Sequence, residues 1–199
     1  MSKILRLGKQ INLSGGLGLI LFESILMVVS ILGALGINSW YNERQDDAMV
    51  EHSMRAFQQE IKQNRQWVED SYPYQLGIRN VVREMQRETY PYQAVEFRQM
   101  IGGAQMVVLR ESTWDTVVDT GVLAHMEFEQ VSALSLTYSL QRRLQVLYNE
   151  GLTDLIRNSY LLEGNKEALL FEALRYLNGI IEAEAQLKAA YEEVAILIQ

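Results

Sequence analysis

The longest apolar run of the chain lies near its N-terminus. From Leu17 to Ile37 the sequence reads LGLILFESILMVVSILGALGI, in which one glutamate and two serines are the polar residues. At about 1.5 Å per helical residue this run spans roughly 30 Å, the thickness of the hydrocarbon layer of a bilayer. Trp40 and Tyr41 follow, and aromatic pairs are typical of the membrane–water interface. The pattern predicts a transmembrane helix over residues 17–40, with Trp40 and Tyr41 as its interfacial anchor.

The basic residues around this run predict its orientation. Three of them precede it, whereas the first fifteen residues after it hold a single arginine. We therefore expect residues 1–16 to form a short cytoplasmic basic segment and residues 41–199 a periplasmic domain. A cleavable signal peptide is the alternative, since Ala34-Leu35-Gly36 has the small residues of a cleavage site. The apolar run is longer than most signal sequences and contains a carboxylate, which favours an uncleaved anchor.

An acidic residue and a group of small residues stand out within the apolar run. Glu23 lies about 9 Å inside it, where an acidic group is costly, by up to roughly 2.5–3.5 kcal/mol at the centre. Such a residue usually faces a partner helix or a wet cavity, although a protonated glutamate that reaches the cytoplasmic face is the simpler interpretation. Ser30, Gly33 and Ala34 offer a small-residue surface for close helix contact. These four residues are the predicted contacts with another membrane helix.

Helical periodicity begins soon after the span. Two Tyr-Pro-Tyr tripeptides, at 72–74 and 90–92, bracket a second helix, because the residue before proline avoids the α conformation and proline suits a first turn. The expected buried face of that helix consists of Ile78, Val82 and Met85. The helix before it is predicted by positions at steps of four and three that include one polar residue: Val50, Met54, Phe57, Ile61, Asn64 and Val68.

The middle of the chain is predicted to form short secondary-structure elements. A helix over about Tyr92–Ile101 is expected to end at the glycine pair 102–103. Met106–Leu109 is typical of a short extended piece. Thr113–Thr120 predicts a short helix that Gly121 closes.

Two long helices complete the prediction. Glu127–Glu150 is expected to end at Gly151, with a core face of Phe128, Val131, Leu134, Tyr138, Leu140, Leu144 and Leu147. The last helix, an amphipathic helix or coiled-coil seam, follows four heptads: Leu169, Ala173, Tyr176, Ile180, Ala183, Leu187, Ala190, Val194 and Leu197. The predicted fold class is all-α: one N-terminal transmembrane helix, then an extracytoplasmic helical bundle with a long C-terminal amphipathic helix.

Composition and charge exclude several classes of function. The 199 residues include 18 Lys+Arg, 25 Asp+Glu, two histidines and no cysteine. The lack of cysteine excludes a disulfide scaffold, a thiol nucleophile and a Cys-ligated metal. A net charge of −7 argues against non-specific nucleic-acid binding, which needs a basic surface. We therefore expect no cofactor, no metal site and no nucleic-acid partner.

Few residues suggest catalysis. His125 lies near Ser112 and Asp115, the residue types of a hydrolytic triad, but the sequence has neither a Gly-x-Ser-x-Gly elbow nor a His-Glu-x-x-His pair. A surface or capping role for His125 is favoured, and His52 is expected to be solvated. We predict that the protein is not an enzyme. Several tyrosines are expected to pack with a polar tip, or alternatively to line a ligand pocket: Tyr138, Tyr148, Tyr160, Tyr176 and Tyr191.

Arg79, Arg83 and Arg87 lie at i, i+4 and i+8, on one face of the second helix. Like charges at this spacing repel by a few tenths of a kcal/mol, so the stripe favours an anionic neighbour. Glu84 and Glu88 form a parallel stripe that can supply it, which would make an ordinary solvated face. Docking of an acidic partner or ligand on the three arginines is the alternative.

Two segments resemble a known family. The stretch from Glu23 to Arg44, ESILMVVSILGALGINSWYNER, resembles the anchor of a family of small uncharacterised bacterial single-span inner-membrane proteins, with the pattern Gly-Glu, Gly-Ile-x-x-Ala, then Ile-Asn-x-Trp-x-Glu-x-Arg. The segment TWDTVVDTGVL, residues 113–123, is similar to that family's aromatic–acid segment. The chain departs from the pattern at Phe22, where the family has glycine, and around Ala34. The resemblance implies a one-span inner-membrane protein with an extracytoplasmic helical domain and no established activity.

These observations together predict a binding protein of the membrane. The leading hypothesis is a non-enzymatic accessory or scaffold subunit, whose partners are the lipid bilayer and either further copies of itself or another membrane protein. A periplasmic sensory module that binds a small ligand is one alternative. An ion-coupled subunit that uses Glu23 as a membrane acid is another.

Overall fold

A computed structural model describes residues 16–87, 94–102, 108–161 and 164–199, and all regular secondary structure in these ranges is helical. The all-α prediction is therefore confirmed for the described residues. The elements, in chain order, are α1 (Gly16–Met85), α2 (Ala94–Gly102), α3 (Ser112–Thr120), a 3₁₀ turn (Val122–His125), α4 (Phe128–Leu161) and α5 (Lys166–Leu197).

The chain divides into two compact units, with the boundary between Ala48 and Met49. In the first unit, the N-terminal part of α1 is long and apolar enough to cross a membrane, with a mean hydropathy of 2.3 over its best 18-residue window and none of that window buried. Thirteen large apolar side chains between Leu19 and Ile37 are each 51–70% exposed. A helix that buries no apolar face within its own unit needs an apolar environment outside it.

In the second unit, residues 49–199, α1 packs with α4 and α5. Hydrogen bonds fix their directions: Gln75 of α1 reaches Tyr148 of α4, whereas Ser71 of α1 reaches Glu184 of α5. Earlier along α1, Glu60 is bonded to Tyr138 of α4 and Arg65 to Glu192 of α5. Residue numbers therefore rise together along α1 and α4, which are parallel, and run in opposite directions along α1 and α5, which are antiparallel. The main core cluster includes, from the three helices, Phe57, Ile61, Val68, Leu134, Tyr138, Leu144, Tyr148, Ile180, Leu187, Tyr191 and Val194.

A second core cluster joins α2 to the other helices. Phe97 and Ile101 of α2 are buried against side chains of α1, α4 and α5. The predicted helix over about Tyr92–Ile101 is thus observed as Ala94–Gly102, while Tyr92 and Gly103 lie outside the described residues. The predicted face of Ile78, Val82 and Met85 belongs to this cluster.

The predicted helix boundary at Tyr72-Pro73 is wrong, since α1 continues through Pro73. A proline inside a helix lacks an N–H donor and costs about 3 kcal/mol. Pro73 is exposed, so its ring points away from the core. Ser71 and Gln75 on either side are bonded to α5 and α4, and these contacts hold the helix together across the proline.

The predicted stop at Gly151 is also wrong, because α4 extends to Leu161. A Cβ atom at position 151 would lie 2.6 Å from Cε2 and 2.7 Å from Cδ2 of Tyr176. The glycine allows the Tyr176 ring to lie directly on the α4 backbone. It serves close packing of α4 against α5, and not helix termination.

The structure confirms some of the other predicted positions and contradicts others. Seven of the nine predicted seam residues of α5 are buried, whereas Tyr176 and Leu197 are half-buried. The short helix that ends at Gly121 is confirmed, and the φ of 75° at this position is favourable for glycine. Phe128 was a predicted core residue but is 82% exposed in the first turn of α4. Tyr138, Tyr148 and Tyr191 are buried, whereas Tyr160 is exposed. Of the predicted extended piece 106–109, the first two residues lie outside the described ranges.

Candidate functional site

Buried polar side chains lie inside the core, where α1, α4 and α5 meet. The first is Glu60 of α1, which is only 6% exposed. Its Oε1 accepts a bond of 2.7 Å from the hydroxyl of Tyr138. Its Oε2 accepts bonds from Ser112 Oγ at 2.9 Å and from both N and Oγ1 of Thr113 at 3.0 Å. One carboxyl group therefore ties α1 to α4 and to the start of α3.

An amide network continues one turn along α1. Asn64 donates to Arg110 O at 2.7 Å and to Gln141 Oε1 at 3.0 Å, and it accepts from the backbone N of Arg110 at 2.9 Å. Gln141 donates to the same Arg110 O at 2.7 Å, and the Tyr191 hydroxyl donates to Gln141 Oε1 at 2.8 Å. The network holds the segment before α3 against the core. It explains why the predicted apolar seam of α1 contains an asparagine.

Aromatic contacts surround this cluster. The ring of Trp114 stacks on Tyr138 with a centroid distance of 5.3 Å, and Phe57 contacts the same ring at 6.0 Å. Burial raises the pKa of Tyr138, and the hydrogen bond to Glu60 raises it further, so this hydroxyl stays a donor. The arrangement fixes the position of α3 and offers no open face of the carboxyl group.

A second polar cluster is centred on Glu184 of α5, which is fully buried. Its Oε1 accepts bonds from Ser71 Oγ at 2.7 Å and from the Tyr148 hydroxyl at 2.6 Å. Gln75 donates to that hydroxyl at 3.0 Å. Burial raises the pKa of Glu184, while the bonds from Tyr148 and Ser71 oppose the shift. Within the part of the chain that the structure describes, Oε2 of Glu184 has no hydrogen-bond partner.

An open groove of about 380 Å³ lies beside Glu184, between α1 and α5. Glu69 on its α1 side accepts a bond of 2.8 Å from Arg65, and Arg65 also reaches Glu192 of α5 at 3.5 Å. The bond from Arg65 lowers the pKa of Glu69. A partly exposed ion network therefore rims one side of the groove.

The predicted membrane contacts all lie on the exposed apolar part of α1. Glu23, Ser30, Gly33 and Ala34 are exposed, and Ser30 Oγ donates to Leu26 O at 2.7 Å. At the predicted interface, Trp40 and Tyr41 are exposed as well. The guanidinium of Arg44 lies 4.8 Å from the centre of the Trp40 ring, a cation–π contact.

The three predicted docking arginines differ in their surroundings. Arg87 pairs with Glu84 at 2.8 Å, and Arg83 is exposed. Arg79 is half-buried, and its Nε is buried without a hydrogen-bond partner among the described residues. Glu88, the other predicted anionic neighbour, lies outside those residues.

The structure describes all three residues of the candidate hydrolytic triad. The hydroxyl of Ser112 donates to Glu60, while Asp115 is exposed on α3 and His125 is exposed on the 3₁₀ turn. In the described ranges, no group of three or more His, Cys, Asp or Glu side chains is arranged to hold a metal ion.

Sequence reasoning missed the two buried acids. Glu60 lies between the seam positions Phe57 and Ile61, and Glu184 follows Ala183 on the seam of α5. A helix wheel would have placed both beside the core face, and an acid in that place was the available signal. Comparison of the chain with protein-family models, with curated proteins and with solved structures finds no match.

Proposed function

We propose that the protein is a single-pass bacterial inner-membrane protein with a cytoplasmic N-terminus and a periplasmic helical bundle. The observation that carries the proposal is the row of exposed apolar side chains between Leu19 and Ile37. Removing one such side chain from water stabilises it by about 1.5–3 kcal/mol, so lipid around thirteen of them contributes roughly 20–40 kcal/mol of favourable transfer free energy. The anchor resemblance and the basic residues before the span support the orientation.

The proposed role is non-enzymatic: an accessory or scaffold subunit of a membrane complex. The domain's buried polar side chains support it, because they bond one helix to another. Glu60 joins three helices, and the Asn64 network fastens the segment before α3. A rigid set of helices presents a constant surface to a partner protein.

In this proposal the span contacts a second membrane helix. Glu23, Ser30 and Ala34 are seven and four residues apart, so they share one helix face, with Gly33 beside it. Small residues allow close approach, and an acidic group in hydrocarbon gains from a polar partner. The second helix belongs either to another copy of this chain or to a partner subunit.

In the domain, the arginine stripe is the proposed docking surface for an acidic partner. Arg83 is exposed, and the buried Nε of the half-buried Arg79 has no hydrogen-bond partner among the described residues. Arg87 already pairs with Glu84, so it contributes less than the other two. Charge reversal at Arg83 should weaken the partner's binding more than charge reversal at Arg87.

Native mass spectrometry of the full-length protein in nanodiscs tests the proposal. A particle at a multiple of 22.9 kDa, or one that contains a second protein in fixed ratio, is the expected result. Ala34→Leu should disrupt either particle, and Leu35→Ala on another face is its control. A monomer under all lipid conditions would contradict the scaffold role.

A sensory module is the second candidate function. It is favoured by the groove next to Glu184, a buried carboxyl group whose Oε2 has no hydrogen-bond partner among the described residues. A sensor would gain thermal stability from a small ligand, whereas a scaffold would gain it from its partner protein.

A further inference from the structure

The groove between α1 and α5 has both charged and apolar walls. α1 contributes Glu69 and Tyr72, and α5 contributes Glu184, Ala185, Lys188 and Ala189. The two alanines lie one turn apart and leave room above the α5 backbone. At about 380 Å³, the groove is large enough for a small organic molecule.

The carboxyl group of Glu184 is only half satisfied. Its Oε1 accepts the bonds from Ser71 and Tyr148, whereas Oε2 is buried without a partner in the described part of the chain. Buried polar atoms of native proteins are nearly always paired, so an unpaired acceptor in the wall of a groove needs an explanation. A donor from outside the chain would complete the site.

The neighbouring charges select the kind of donor. The acids Glu69, Glu184 and Glu192 line the groove against one cation, Lys188, while Arg65 pairs with Glu69 and Glu192 at its rim. An anion entering the groove would meet Glu69 and Glu184 and would be repelled. A cation with N–H donors would find an acceptor in Oε2 and an attractive field from the same carboxylates.

We propose that this groove binds a small organic cation whose primary ammonium group donates a hydrogen bond to Oε2 of Glu184, while its alkyl part lies on Ala185 and Ala189. Since Glu184 is fully buried, the ammonium group reaches Oε2 only when side chains that line the groove move. The site adds a ligand to the domain and does not depend on the proposed scaffold role.

Titration with propylammonium chloride tests the site, with the full-length protein in nanodiscs at constant ionic strength. The unfolding midpoint, followed by circular dichroism, should rise and saturate. Tetramethylammonium has the same charge but no N–H donor, and propan-1-ol has no charge, so neither should give this rise. An equal rise with tetramethylammonium, or no saturable rise with propylammonium, would overturn the proposal.

Variants locate the site. Glu184→Gln should weaken propylammonium binding by about tenfold or more, because it removes the charge from the acceptor. Glu193→Gln, at an exposed position of the same helix, should bind like the wild type. Ala189→Leu fills the groove, leaves Glu184 in place and should also abolish the response, which provides a second test if the glutamine variant is unstable. Unchanged affinity in either groove variant would refute the site, whatever particle mass the native protein shows.

Discussion

The backbone N–H of Thr113 donates a bond of 3.0 Å to Oε2 of Glu60, a side chain 53 residues earlier in the chain. The first N–H groups of a helix have no partner within it and are usually satisfied by a nearby cap residue. Glu111, at the cap position of α3, makes no such side-chain bond. The short helix α3 therefore depends on a carboxyl group of α1, and its order depends on the tertiary fold.

Glu60→Ala should destabilise the domain by about 3 kcal/mol, because it leaves the Tyr138 hydroxyl and the donors of α3 unpaired. Hydrogen exchange should speed up most at the first amides of α3, and the thermal midpoint should fall. Gln59→Ala, at the exposed neighbouring position, should change the stability by less than about 0.5 kcal/mol. Protection of α3 that survives Glu60→Ala would disprove the capping role.

Gly151→Ala should destabilise the domain by about 1–3 kcal/mol, since the new methyl group meets the ring of Tyr176. Gly179→Ala in α5 is the matched control. Outside the helix's own backbone, no atom of the described residues lies within 4 Å of the Cβ position there, so alanine should stabilise the helix by about 0.5–1 kcal/mol. Thermal unfolding of both variants measures the difference, and equal midpoints would contradict the packing argument.

The stability of the domain should fall as the pH rises through the folded-state pKa of Glu184. Burial raises this pKa, so the folded state holds the proton more tightly than the unfolded chain does. The stabilisation is complete below the unfolded pKa and is lost above the folded one. Glu69 has a lowered pKa, so its contribution is lost as the pH falls, in a window below that of Glu184.

Glu184→Gln separates this effect from other titrations. The variant should show a flatter dependence of the unfolding midpoint on pH in the window above the ordinary pKa of glutamate. Glu193→Gln should retain the slope of the wild type. An identical slope in all three proteins would mean that Glu184 does not titrate in this window.

Glu23 distinguishes the scaffold from the ion-coupled hypothesis. Glu23→Gln keeps a polar side chain and should leave the particle mass unchanged, whereas Glu23→Leu should weaken the helix contact. Under the ion-coupled hypothesis, Glu23→Gln would also leave the assembly intact but would abolish proton flux into proteoliposomes that hold the complex. Wild-type particle mass in Glu23→Leu would remove this residue from the interface.

Periodicity was sufficient for much of the fold. The seams of α1 and α5 follow from steps of four and three, because an apolar stripe determines which helix face is buried. The local preferences of Pro73 and Gly151 predicted helix boundaries at both positions. The helices continue there because of tertiary contacts of Ser71, Gln75 and Tyr176, which cannot be read from the sequence. Tertiary packing decides such positions, and local propensity does not.

The partners of the buried acids could not be predicted for a related reason. A helix wheel places Glu60 and Glu184 beside the core face, but it does not show which side chains of the other helices meet them. Their roles arise from partners 36–113 residues away, such as Tyr148 and Ser71 for Glu184. The pairing of helices therefore had to be known before these partners could be identified.

The directions of α1 and α5 also determine how the domain would respond to mechanical force. Gln58 of α1 donates to the carbonyl of Ile198. The start of the second unit near Met49 and the last turn of α5 therefore lie at the same end of the domain. Tension between Met49 and the last turn of α5 would peel these two antiparallel helices apart, one contact at a time. Such unzipping needs less force than sliding two helices along their whole length. In a single-molecule pulling experiment from these two positions, we expect the domain to open at low force from that end.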